Sequence, residues 1–294
     1  MKNLRGNICL TLAALIWGSA FVPQSLGMDY VGPYTFLTAR SVLGAIFLFL
    51  IIVIFDRKRE SRQQRLRLLK AGVCCGSLLF VASILQQIGM VTTTVGKAGF
   101  LTALYIVIVP VAGIFFRKKP TINVWVGVIL AAVGLYLLCM KGSLHLAPGD
   151  LLVFLSAFAF ASQIMVIDHF SDVDGIKLSF VQFTVVAILS GIFTPFMETV
   201  RMDDVWKAFG AIAYCGIMSS GIAYTFQILG QQWTDDPVIA SLLMSLESVF
   251  SLIAGIIVLH QVPTPREFLG AALMFSAIII VQIPVKYFKM IRKA

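Results

Sequence analysis

The chain has 294 residues, of which 59% are hydrophobic and only 13% are charged, and its mean hydropathy is +0.93. Soluble domains carry about 25% charged residues, so this composition excludes an ordinary soluble protein and is typical of an integral membrane protein in contact with a lipid bilayer. The net charge of +9 is concentrated in short stretches between apolar runs, which argues against nucleic acid as a partner. The five cysteines lie in apolar runs, and their spacing predicts no metal site, no cofactor and no disulfide.

Ten apolar runs approach the roughly 20 residues that an α-helix needs to cross a bilayer. Because backbone polar groups in lipid must be satisfied inside the segment or in a closed barrel, runs of this length predict helices. Pro33 suits the first turn of the second helix, and Asp150 and Asp236 suit the N-caps of the sixth and ninth. We number the helices as spans 1 to 10 and predict them at residues 6–27, 33–55, 66–90, 94–116, 121–140, 149–168, 176–196, 205–230, 237–259 and 264–285.

The two halves of the chain repeat each other at an offset that takes Gly6 to Gly149. Gly6-Asn7 opens the first copy, and Gly149-Asp150 opens the second. Five spans per copy is an odd number, so the second copy must cross the membrane in the opposite direction from the first. The predicted fold is therefore an all-α integral membrane protein of ten transmembrane helices, built as two inverted five-helix repeats over residues 1–141 and 147–288.

The Lys and Arg residues are distributed unevenly between the two sides of the membrane. If the N-terminus is cytoplasmic, 17 of them fall on the cytoplasmic side and 5 on the outer side. This bias predicts a multi-pass protein of the inner (plasma) membrane with both termini in the cytoplasm. Seven of the 17 lie within residues 57–70, a loop that anchors the topology or, as an alternative, contacts anionic lipid.

Aromatic and amide side chains occur in both span 1 and span 6. Trp17 aligns with Phe160, and each is followed by a glutamine, Gln24 and Gln163. Polar side chains are costly in lipid and tend to face a bundle interior or a water-filled cavity, so these residues are predicted to line a solute pathway. Packing between helices is the alternative role for the two aromatic side chains.

Span 3 and span 8 are repeat partners, and each carries a glutamine: Gln87 aligns with Gln227 at an offset three residues shorter than that of Gly6 and Gly149. Tyr224 lies on the same face of span 8. An amide both donates and accepts hydrogen bonds, so these glutamines suit a zwitterionic or polyhydroxyl solute in the pathway. Hydrogen bonding between helices, worth about 0.6 kcal/mol on average, is the alternative.

Thr102 and Tyr105 share a face of span 4, close to Pro110. Both side chains are predicted to face the same pathway. Proline removes one backbone hydrogen bond, so Pro110 is predicted to kink the helix and to provide a hinge.

Three serines recur along one face of span 9 at i, i+4 and i+7, Ser241, Ser245 and Ser248. Together with their polar neighbours they fill an arc of about 160°, and the opposite arc consists of Leu, Val, Ile and Ala. We predict that this polar arc faces the pathway. The alternative is that the hydroxyls bond backbone carbonyls one turn earlier and only assist packing.

Arg40 and Glu247 are charged residues inside spans 2 and 9. A carboxylate in apolar surroundings is costly to ionise, which makes Glu247 a candidate for a protonation switch that couples transport to protons, with structural hydrogen bonding as the alternative. Arg40 lies about two turns from the outer end of span 2. It is predicted to bind a solute carboxylate, to pair with Glu247, or to extend to the membrane surface.

Small residues four positions apart let helices approach closely in lipid. Span 3 carries Gly72 and Gly76, and span 5 carries Gly127 and Ala131. These pairs predict close packing within the chain, and a homodimer through span 5 is the alternative.

Short motifs occur in a fixed order along the chain: Trp17-Gly18-Ser19-Ala20-Phe21, Arg40, Gly99-Phe100-Leu101-Thr102-Ala103-Leu104-Tyr105, Ala223-Tyr224, Ser245-Leu246-Glu247-Ser248-Val249-Phe250 and Pro265-Arg266-Glu267-Phe268-Leu269-Gly270. With ten spans, this order resembles the EamA branch of the drug/metabolite transporter superfamily. The sequence departs from the family pattern at Ser248, where proline is common, and at His260-Gln261, where Gly-Glu is common.

The resemblance implies a secondary transporter that exports or exchanges a small organic solute, such as an amino acid or a related metabolite, across the inner membrane by alternating access. The sequence has no phosphate-binding loop, no HExxH motif and no Ser/His or paired-Asp constellation, so we do not expect an enzyme. A membrane sensor or structural protein is the alternative. Such proteins normally carry a soluble module, whereas the longest loop here is about ten to fifteen residues.

Overall fold

The computed structural model of the chain describes residues 2–55, 60–93, 95–115, 120–140, 147–234, 236–259, 262 and 264–282. Within these ranges, ten helical stretches are long and apolar enough to cross a bilayer, which confirms the predicted all-α fold of ten spans. They lie at Asn3–Met28, Pro33–Phe55, Arg62–Met90, Lys97–Phe115, Ile122–Cys139, Pro148–His169, Gly175–Met197, Phe209–Trp233, Pro237–Ala254 and Pro265–Gln282.

Most spans are single helices close to the predicted bounds, but three spans are not uniform. Span 4 consists of helices Val95–Ala103 and Tyr105–Phe115, and span 9 consists of helices Pro237–Met244 and Glu247–Leu259. Span 8 contains a π-helix, in which the backbone bonds run from residue i to residue i+5, between two α-helical pieces. Its three parts are Phe209–Tyr214, the π-helix Cys215–Ala223, and Tyr224–Trp233, and a short helix precedes it at Met202–Lys207.

The interruptions of spans 4 and 9 occupy equivalent places in the two repeats, within two residues of each other at the offset that takes Gly6 to Gly149. Pro110 lies inside the second helix of span 4, six residues after the interruption at Leu104. The interruption of span 4 is thus separate from Pro110, and the kink at Pro110 stays a prediction. Proline also fails to explain the interruption of span 9, since the sequence has no proline between Val238 and Leu259.

Side chains cap several spans at the ends where backbone N–H groups lack partners. Pro33 is the first helical residue of span 2, as predicted, and Asp236 accepts a hydrogen bond from Val238 N at 2.9 Å. Asp150 is not the N-cap of span 6; it lies in the first turn and accepts from the backbone N–H of Ala147 at 2.9 Å. The carboxylate of Glu198 caps span 2 from the connection between spans 7 and 8.

Glycines set the closest helix contacts. A Cβ atom added to Gly76 of span 3 would lie 2.7 Å from the carbonyl oxygen of Gln182 in span 7, and one added to Gly127 of span 5 would lie 3.1 Å from that of Ala277 in span 10. Only glycine allows backbones to approach so closely. Span 10 therefore covers the glycine face of span 5, which accounts for its small residues without a second copy of the chain.

Equivalent glycine contacts join the two halves at two places. A Cβ atom added to Gly6, at the start of span 1, would lie 2.9 Å from the carbonyl oxygen of Gly230 in span 8, and one added to Gly149, at the start of span 6, would meet that of Gly89 in span 3. Spans 1 and 6 begin five crossings apart, so the two contacts lie at opposite ends of the bundle. We call the end at Gly149 the outer end and the end at Gly6 the inner end, following the orientation that the charge bias predicts.

Ion pairs join the two halves at the inner end. Arg67 of span 3 donates two hydrogen bonds to Asp172, at 2.6 and 2.7 Å, and Lys177 contacts Glu60 at 3.2 Å. The hydrogen bonds from Arg67 hold the pKa of the Asp172 carboxyl below its usual value. Because Arg67 and Asp172 are about half exposed, their pair contributes little to stability.

Candidate functional site

One cavity lies in the middle of the bundle, between the two halves, and encloses about 590 Å³ of empty space together with its opening. Seven of the ten spans contribute side chains to its wall, with members from both repeats. Ten residues that the sequence predicts as pathway residues line it: Trp17, Gln24, Arg40, Thr102, Tyr105, Phe160, Gln163, Tyr224, Gln227 and Glu247. The structure thus brings together side chains from the first span of the first repeat and from the fourth span of the second.

Aromatic rings form the apolar part of the cavity wall. The rings of Trp17 and Tyr224 meet edge to face with their centroids 4.8 Å apart and an interplanar angle of 63°. Phe183 supports Tyr224 from behind, at 5.1 Å and 75°. Such edge-to-face pairs are favourable, and they stabilise the packing of the wall where spans 1 and 8 meet.

The outer part of the cavity is polar. Arg40 of span 2 is only 4% exposed, and its Nη1 donates to Oε1 of Gln24 in span 1 at 3.1 Å. On the facing wall, Nε2 of Gln86 donates to Oγ1 of Thr102 at 2.9 Å. Arg40 therefore points into the bundle. Of its three predicted roles, extension to the membrane surface is wrong.

Glu247 is the first residue of the second helix of span 9 and is 5% exposed. The interruption of span 9 thus places a carboxylate at the N-terminus of a helix in mid-membrane, where the helix dipole favours negative charge. No ion pair joins Glu247 to Arg40 in the part of the chain that the structure describes. The predicted pairing of these two residues is absent, and Nη1 of Arg40 bonds Gln24 instead.

Five polar atoms on the cavity wall have no hydrogen-bond partner among the described residues: Trp17 Nε1, Arg40 Nε, Tyr105 OH, Gln227 Oε1 and Glu247 Oε1. Burying a polar atom without a partner costs about 1–3 kcal/mol, so such atoms are rare unless something else satisfies them. The set contains both donors and acceptors, which suits a solute that carries groups of both kinds.

A family profile described as EamA-like transporter family matches the chain twice, over residues 4–140 and 147–283. The chain belongs to the EamA-like transporter family. Each match covers five spans, in keeping with the two inverted repeats, and this membership shows that the protein is a multi-pass membrane transporter.

Relatives of this EamA-like transporter extend over nearly its whole length. A protein of Archaeoglobus fulgidus named "Uncharacterized transporter" is 29% identical over 97% of this chain and 88% of its own. "Uncharacterized transporter YoaV" of Bacillus subtilis is 24% identical, over 95% of this chain and 96% of its own. A crystal structure 17% identical in sequence superposes with a TM-score of 0.70 over 92% of this chain and 96% of its own, which shows a shared fold.

The transporter places Gln87, one of the predicted pathway residues, outside the cavity wall. Gln87 is fully buried, and its Nε2 lies 3.5 Å from the carbonyl oxygen of Pro33 and 3.8 Å from the sulfur of Met28. The neighbouring residue, Gln86, lines the cavity in its place. The prediction was one residue out of register, because span 8 holds one residue more than span 3 before its cavity glutamine.

The predicted pathway face of span 9 also differs from the structure. Ser241 donates to the carbonyl oxygen of Val238 at 2.8 Å, and Ser245 donates to that of Leu242 at 2.7 Å. Ser248, beyond the interruption, does not line the cavity either. Two of the three serines therefore bond backbone carbonyls one turn earlier, as the packing alternative predicts. The residues of span 9 that line the cavity are Met244 and Glu247.

Two further polar residues at the site are absent from the sequence-based set. Ser219 lines the cavity from the π-helix of span 8, a position that α-helical periodicity does not predict. Gln182 of span 7 lies behind the wall and bonds Gln163. Its signal in the sequence was an amide side chain inside a membrane span, the same criterion that identified the other glutamines.

Proposed function

We propose that this transporter exports or exchanges a small organic solute, an amino acid or a related metabolite, across the inner membrane by alternating access. The observation that carries the proposal is one mid-bundle cavity with a guanidinium group, Arg40, and a carboxylate, Glu247, on different walls. Guanidinium groups bind carboxylates through strong, directional hydrogen bonds. A carboxylate binds ammonium groups in the same way, so the pair suits a solute with both groups.

The inverted repeats support alternating access. A central site between two inverted halves can face either side when one half rocks against the other. Spans 4 and 9, which contribute Tyr105 and Glu247 to the cavity, are interrupted at equivalent positions, and interrupted helices near the membrane midplane are typical of transporter binding sites. A movement at these interruptions would act directly on the cavity wall.

Glu247 is, in this proposal, the group that takes up and releases a proton during the cycle. Its burial and the single unpartnered Oε1 atom support this role, because a carboxylate in such surroundings responds strongly to the arrival of a cationic solute. Export would then be driven by protons, and exchange would proceed without a net proton movement.

The proposal is tested with purified protein in liposomes, by counterflow of each standard L-amino acid. Arg40→Met should lower exchange about tenfold or more, because hydrogen bonds to charged groups contribute about 1.5–3 kcal/mol and about 1.4 kcal/mol is a factor of ten. Lys207→Met removes an exposed cation of the short helix that precedes span 8 and is the matched control. Glu247→Gln should stop proton-driven accumulation while exchange persists.

Three results would contradict parts of the proposal. Exchange of no tested solute, with folded protein in the liposomes, would favour the sensor or structural alternative. Equal loss in Arg40→Met and Lys207→Met would remove the role of Arg40. Unchanged proton-driven transport in Glu247→Gln would remove the coupling role and leave the solute-binding cavity in place.

A further inference from the structure

The inner end of span 3 is a helix rich in basic side chains. Its basic residues are Arg62, Arg65, Arg67 and Lys70. No acidic residue occurs in the sequence between Ser61 and Met90. Ser61 caps the helix: its Oγ accepts from the backbone N–H of Gln64 at 3.3 Å, and Oε1 of Gln64 accepts from that of Ser61 at 2.9 Å. The basic stretch that the sequence places in a loop is therefore helical from Arg62 onward, with its side chains at fixed angles around the helix.

One side of this helix faces the rest of the bundle. Arg67 donates to Asp172 in the connection between spans 6 and 7, and Leu68 and Ala71 are buried, with exposures of 7% and 0%. At about 100° per residue, these three side chains of span 3 share one side, and the other three basic residues fall on the opposite side. Arg67 therefore faces the other half of the chain, whereas the remaining cations are exposed.

The exposed side of the helix carries apolar side chains as well as cations. Leu66, Leu69 and Val73 are 59%, 49% and 50% exposed, and together with the three exposed cations they fill an arc of about 140°. In a transmembrane span, an apolar stripe that no other span covers faces the lipid. We call the exposed residues of the first turns of span 3 the basic face: Arg62, Arg65, Leu66, Leu69 and Lys70.

The basic face lies at the depth of the lipid headgroups. The part of span 3 from Ala71 to Met90 holds about 20 residues and is about 30 Å long at about 1.5 Å per residue, the thickness of the hydrocarbon core. The part from Arg62 to Lys70 adds about 13 Å, and the headgroup layer of each leaflet is about 5–8 Å thick. Lys70 therefore lies at the boundary with the hydrocarbon, Arg65 lies within the headgroup layer, and Arg62 lies at its water side.

The cations of the basic face lack partners in the protein. In the part of the chain that the structure describes, no ion pair and no hydrogen bond joins any of these three cations to another side chain. At the same end of the bundle, the cations that face the other half are paired, Arg67 with Asp172 and Lys177 with Glu60. Guanidinium and ammonium groups bind phosphate through charge-assisted hydrogen bonds, so cations at headgroup depth suit anionic phosphate headgroups.

We propose that the basic face of span 3 binds anionic lipids of the leaflet at the inner end: Arg62, Arg65 and Lys70 contact the phosphate headgroups, while Leu69 and Val73 contact the acyl chains. The site lies on the outside of the bundle, and it depends on neither the cavity nor the solute. The opposite charge of the headgroups and the lipid-facing stripe of the same helix favour lipid over a soluble partner.

Native mass spectrometry of the purified protein in a neutral detergent measures the affinity, because it resolves each bound lipid as an added mass. The probes are phosphatidylglycerol, which is anionic, and phosphatidylcholine, which is zwitterionic, with the same acyl chains. The main variant replaces the three cations together, Arg62→Gln, Arg65→Gln and Lys70→Gln. A second variant, Arg62→Lys with Arg65→Lys, keeps the charge and should keep the preference for the anionic lipid.

Three cations at the outer end provide the matched control. Arg201→Gln, Lys207→Gln and Arg266→Gln together remove the same charge from exposed positions. Arg201 and Lys207 contact Asp204, and Arg266 lies over the ring of Tyr136 at 5.3 Å, so each has a partner within the protein. The control therefore lowers the net charge equally and leaves the basic face intact.

The wild type should bind phosphatidylglycerol more tightly than phosphatidylcholine. Each Lys or Arg close to an anionic leaflet strengthens binding about fivefold. The triple Gln variant at the basic face should therefore weaken phosphatidylglycerol binding about 25-fold or more, the product of at least two such factors, while the affinity for phosphatidylcholine stays within about twofold. The control should leave the ratio of the two affinities within about twofold.

Several results would overturn the inference. A wild type without preference for phosphatidylglycerol, or a ratio of affinities unchanged in the triple Gln variant, would mean that the three cations are only solvated. Equal loss for both lipids would show that no headgroup is recognised, and the same loss in the control would assign the effect to net charge. Displacement of bound phosphatidylglycerol by sn-glycerol 3-phosphate would show a site for soluble phosphate instead. None of these results involves solute transport, so the proposed function is tested separately.

Discussion

Spans 3 and 8 occupy equivalent places in the two repeats, yet their backbones differ. Span 3 is a regular α-helix over Arg62–Met90, whereas span 8 contains the π-helix Cys215–Ala223. Both carry a Cys-Gly pair, which begins at Cys75 and at Cys215, and further along both carry a glutamine that lines the cavity, Gln86 and Gln227. Gln86 is the eleventh residue after Cys75, whereas Gln227 is the twelfth after Cys215. Span 8 therefore holds one more residue between the same two landmarks.

The difference of one residue persists beyond the π-helix. Gly89 is the fourteenth residue after Cys75, Gly230 is the fifteenth after Cys215, and the two make equivalent close contacts with the starts of spans 6 and 1. In an α-helix one extra residue rotates everything beyond it by about 100°. The wider turn of a π-helix absorbs the extra residue, so the face beyond it stays directed at the cavity. The two repeats thus place equivalent side chains at the cavity, although the number of residues between the Cys-Gly pair and the glutamine differs by one.

The π-helix packs against the backbone of Arg40. A Cβ atom added to Gly216, in the π-helix, would lie 2.9 Å from the carbonyl oxygen of Arg40, so spans 2 and 8 touch backbone to backbone there. Ser219 reaches the cavity from the same π-helix. Span 3 makes the same kind of contact at Gly76, whose added Cβ atom would lie 2.7 Å from the carbonyl oxygen of Gln182 in span 7, so what the π-helix adds to the cavity wall is Ser219. π-Helices are frequent at functional sites.

Deleting one residue from each span gives the largest expected effect and tests the comparison directly. Removal of Ser77 from span 3 should abolish folded protein, because every buried side chain beyond it would rotate by about 100°. Removal of Ile217, which is 37% exposed in the π-helix, leaves the spacing that span 3 already has. We expect that variant to retain folded protein with a regular span 8, measured as a monodisperse peak in size-exclusion chromatography.

One result of these two deletions would contradict the role that we assign to the π-helix. If loss of Ile217 is as destructive as loss of Ser77, the π-helix does not serve to absorb an extra residue. Its own contacts, at Gly216 and Ser219, would then be what the fold requires. Substitution of Ile217 by Leu, which keeps the length of the span, is the control for the loss of this side chain.

The same comparison explains which parts of the site the sequence could predict. Trp17 and Phe160 keep one offset along unbroken spans, and both reach the cavity wall where the repeat places them. Gln87 was matched to Gln227 at the offset of the Cys-Gly pair, and the π-helix shifts the true partner to Gln86. No feature of amino-acid type distinguishes nine residues of π-helix from nine of α-helix, so this shift was not predictable from one sequence.

The prediction of the pathway face of span 9 failed for a related reason. Regular spacing of about 100° per residue put Ser241, Ser245 and Ser248 on one face with Glu247 beside them. The helix is interrupted at 245–246, so the residues before and after do not share one regular face. Glu247 begins a new helix and reaches the cavity, while the serines before it bond their own backbone. The count and order of the spans were predictable, since these follow from apolar length and need no exact register.

Labelling from one side of the membrane tests the inversion itself. Val200 lies at the outer end, between spans 7 and 8, and is 44% exposed, and Ser171 lies exposed at the inner end, between spans 6 and 7. In a variant without native cysteines, Val200→Cys in whole cells should react with an impermeant thiol reagent and Ser171→Cys should not. The 17-to-5 bias of basic residues is the reason for this expectation. The opposite labelling pattern would mean that the predicted orientation is reversed. Labelling of both cysteines would contradict the placement of Val200 and Ser171 at opposite ends of the bundle.

The two glycine contacts between the halves are held with different strength. At the outer end the carboxylate of Asp150 accepts from Thr93 Oγ1 and Lys97 Nζ, both at 2.8 Å, and is only 4% exposed. At the inner end the equivalent residue is Asn7, whose Nδ2 lies 3.5 Å from Oε1 of Gln282. A buried carboxylate with charged and neutral donors is held far more firmly than an amide with one long contact.

Substitutions at Asp150 and Asn7 test this difference in contacts, and their effect on stability is the smallest that we predict. Asp150→Asn keeps the shape of the side chain and removes the charge that Lys97 faces, so it should lower the free energy of unfolding by about 1–3 kcal/mol. Asn7→Ala, at the equivalent position, should change it by less than about 0.5 kcal/mol, in the range of ordinary surface substitutions. Thermal unfolding of both variants in the same detergent, with the wild type alongside, measures the difference. The close approach of two glycines occurs at both ends, at Gly149 and Gly89 and at Gly6 and Gly230. Equal shifts in the two variants would therefore mean that these glycine contacts alone hold the two ends together. The charge of Asp150 would then contribute nothing specific to the stability of the outer end.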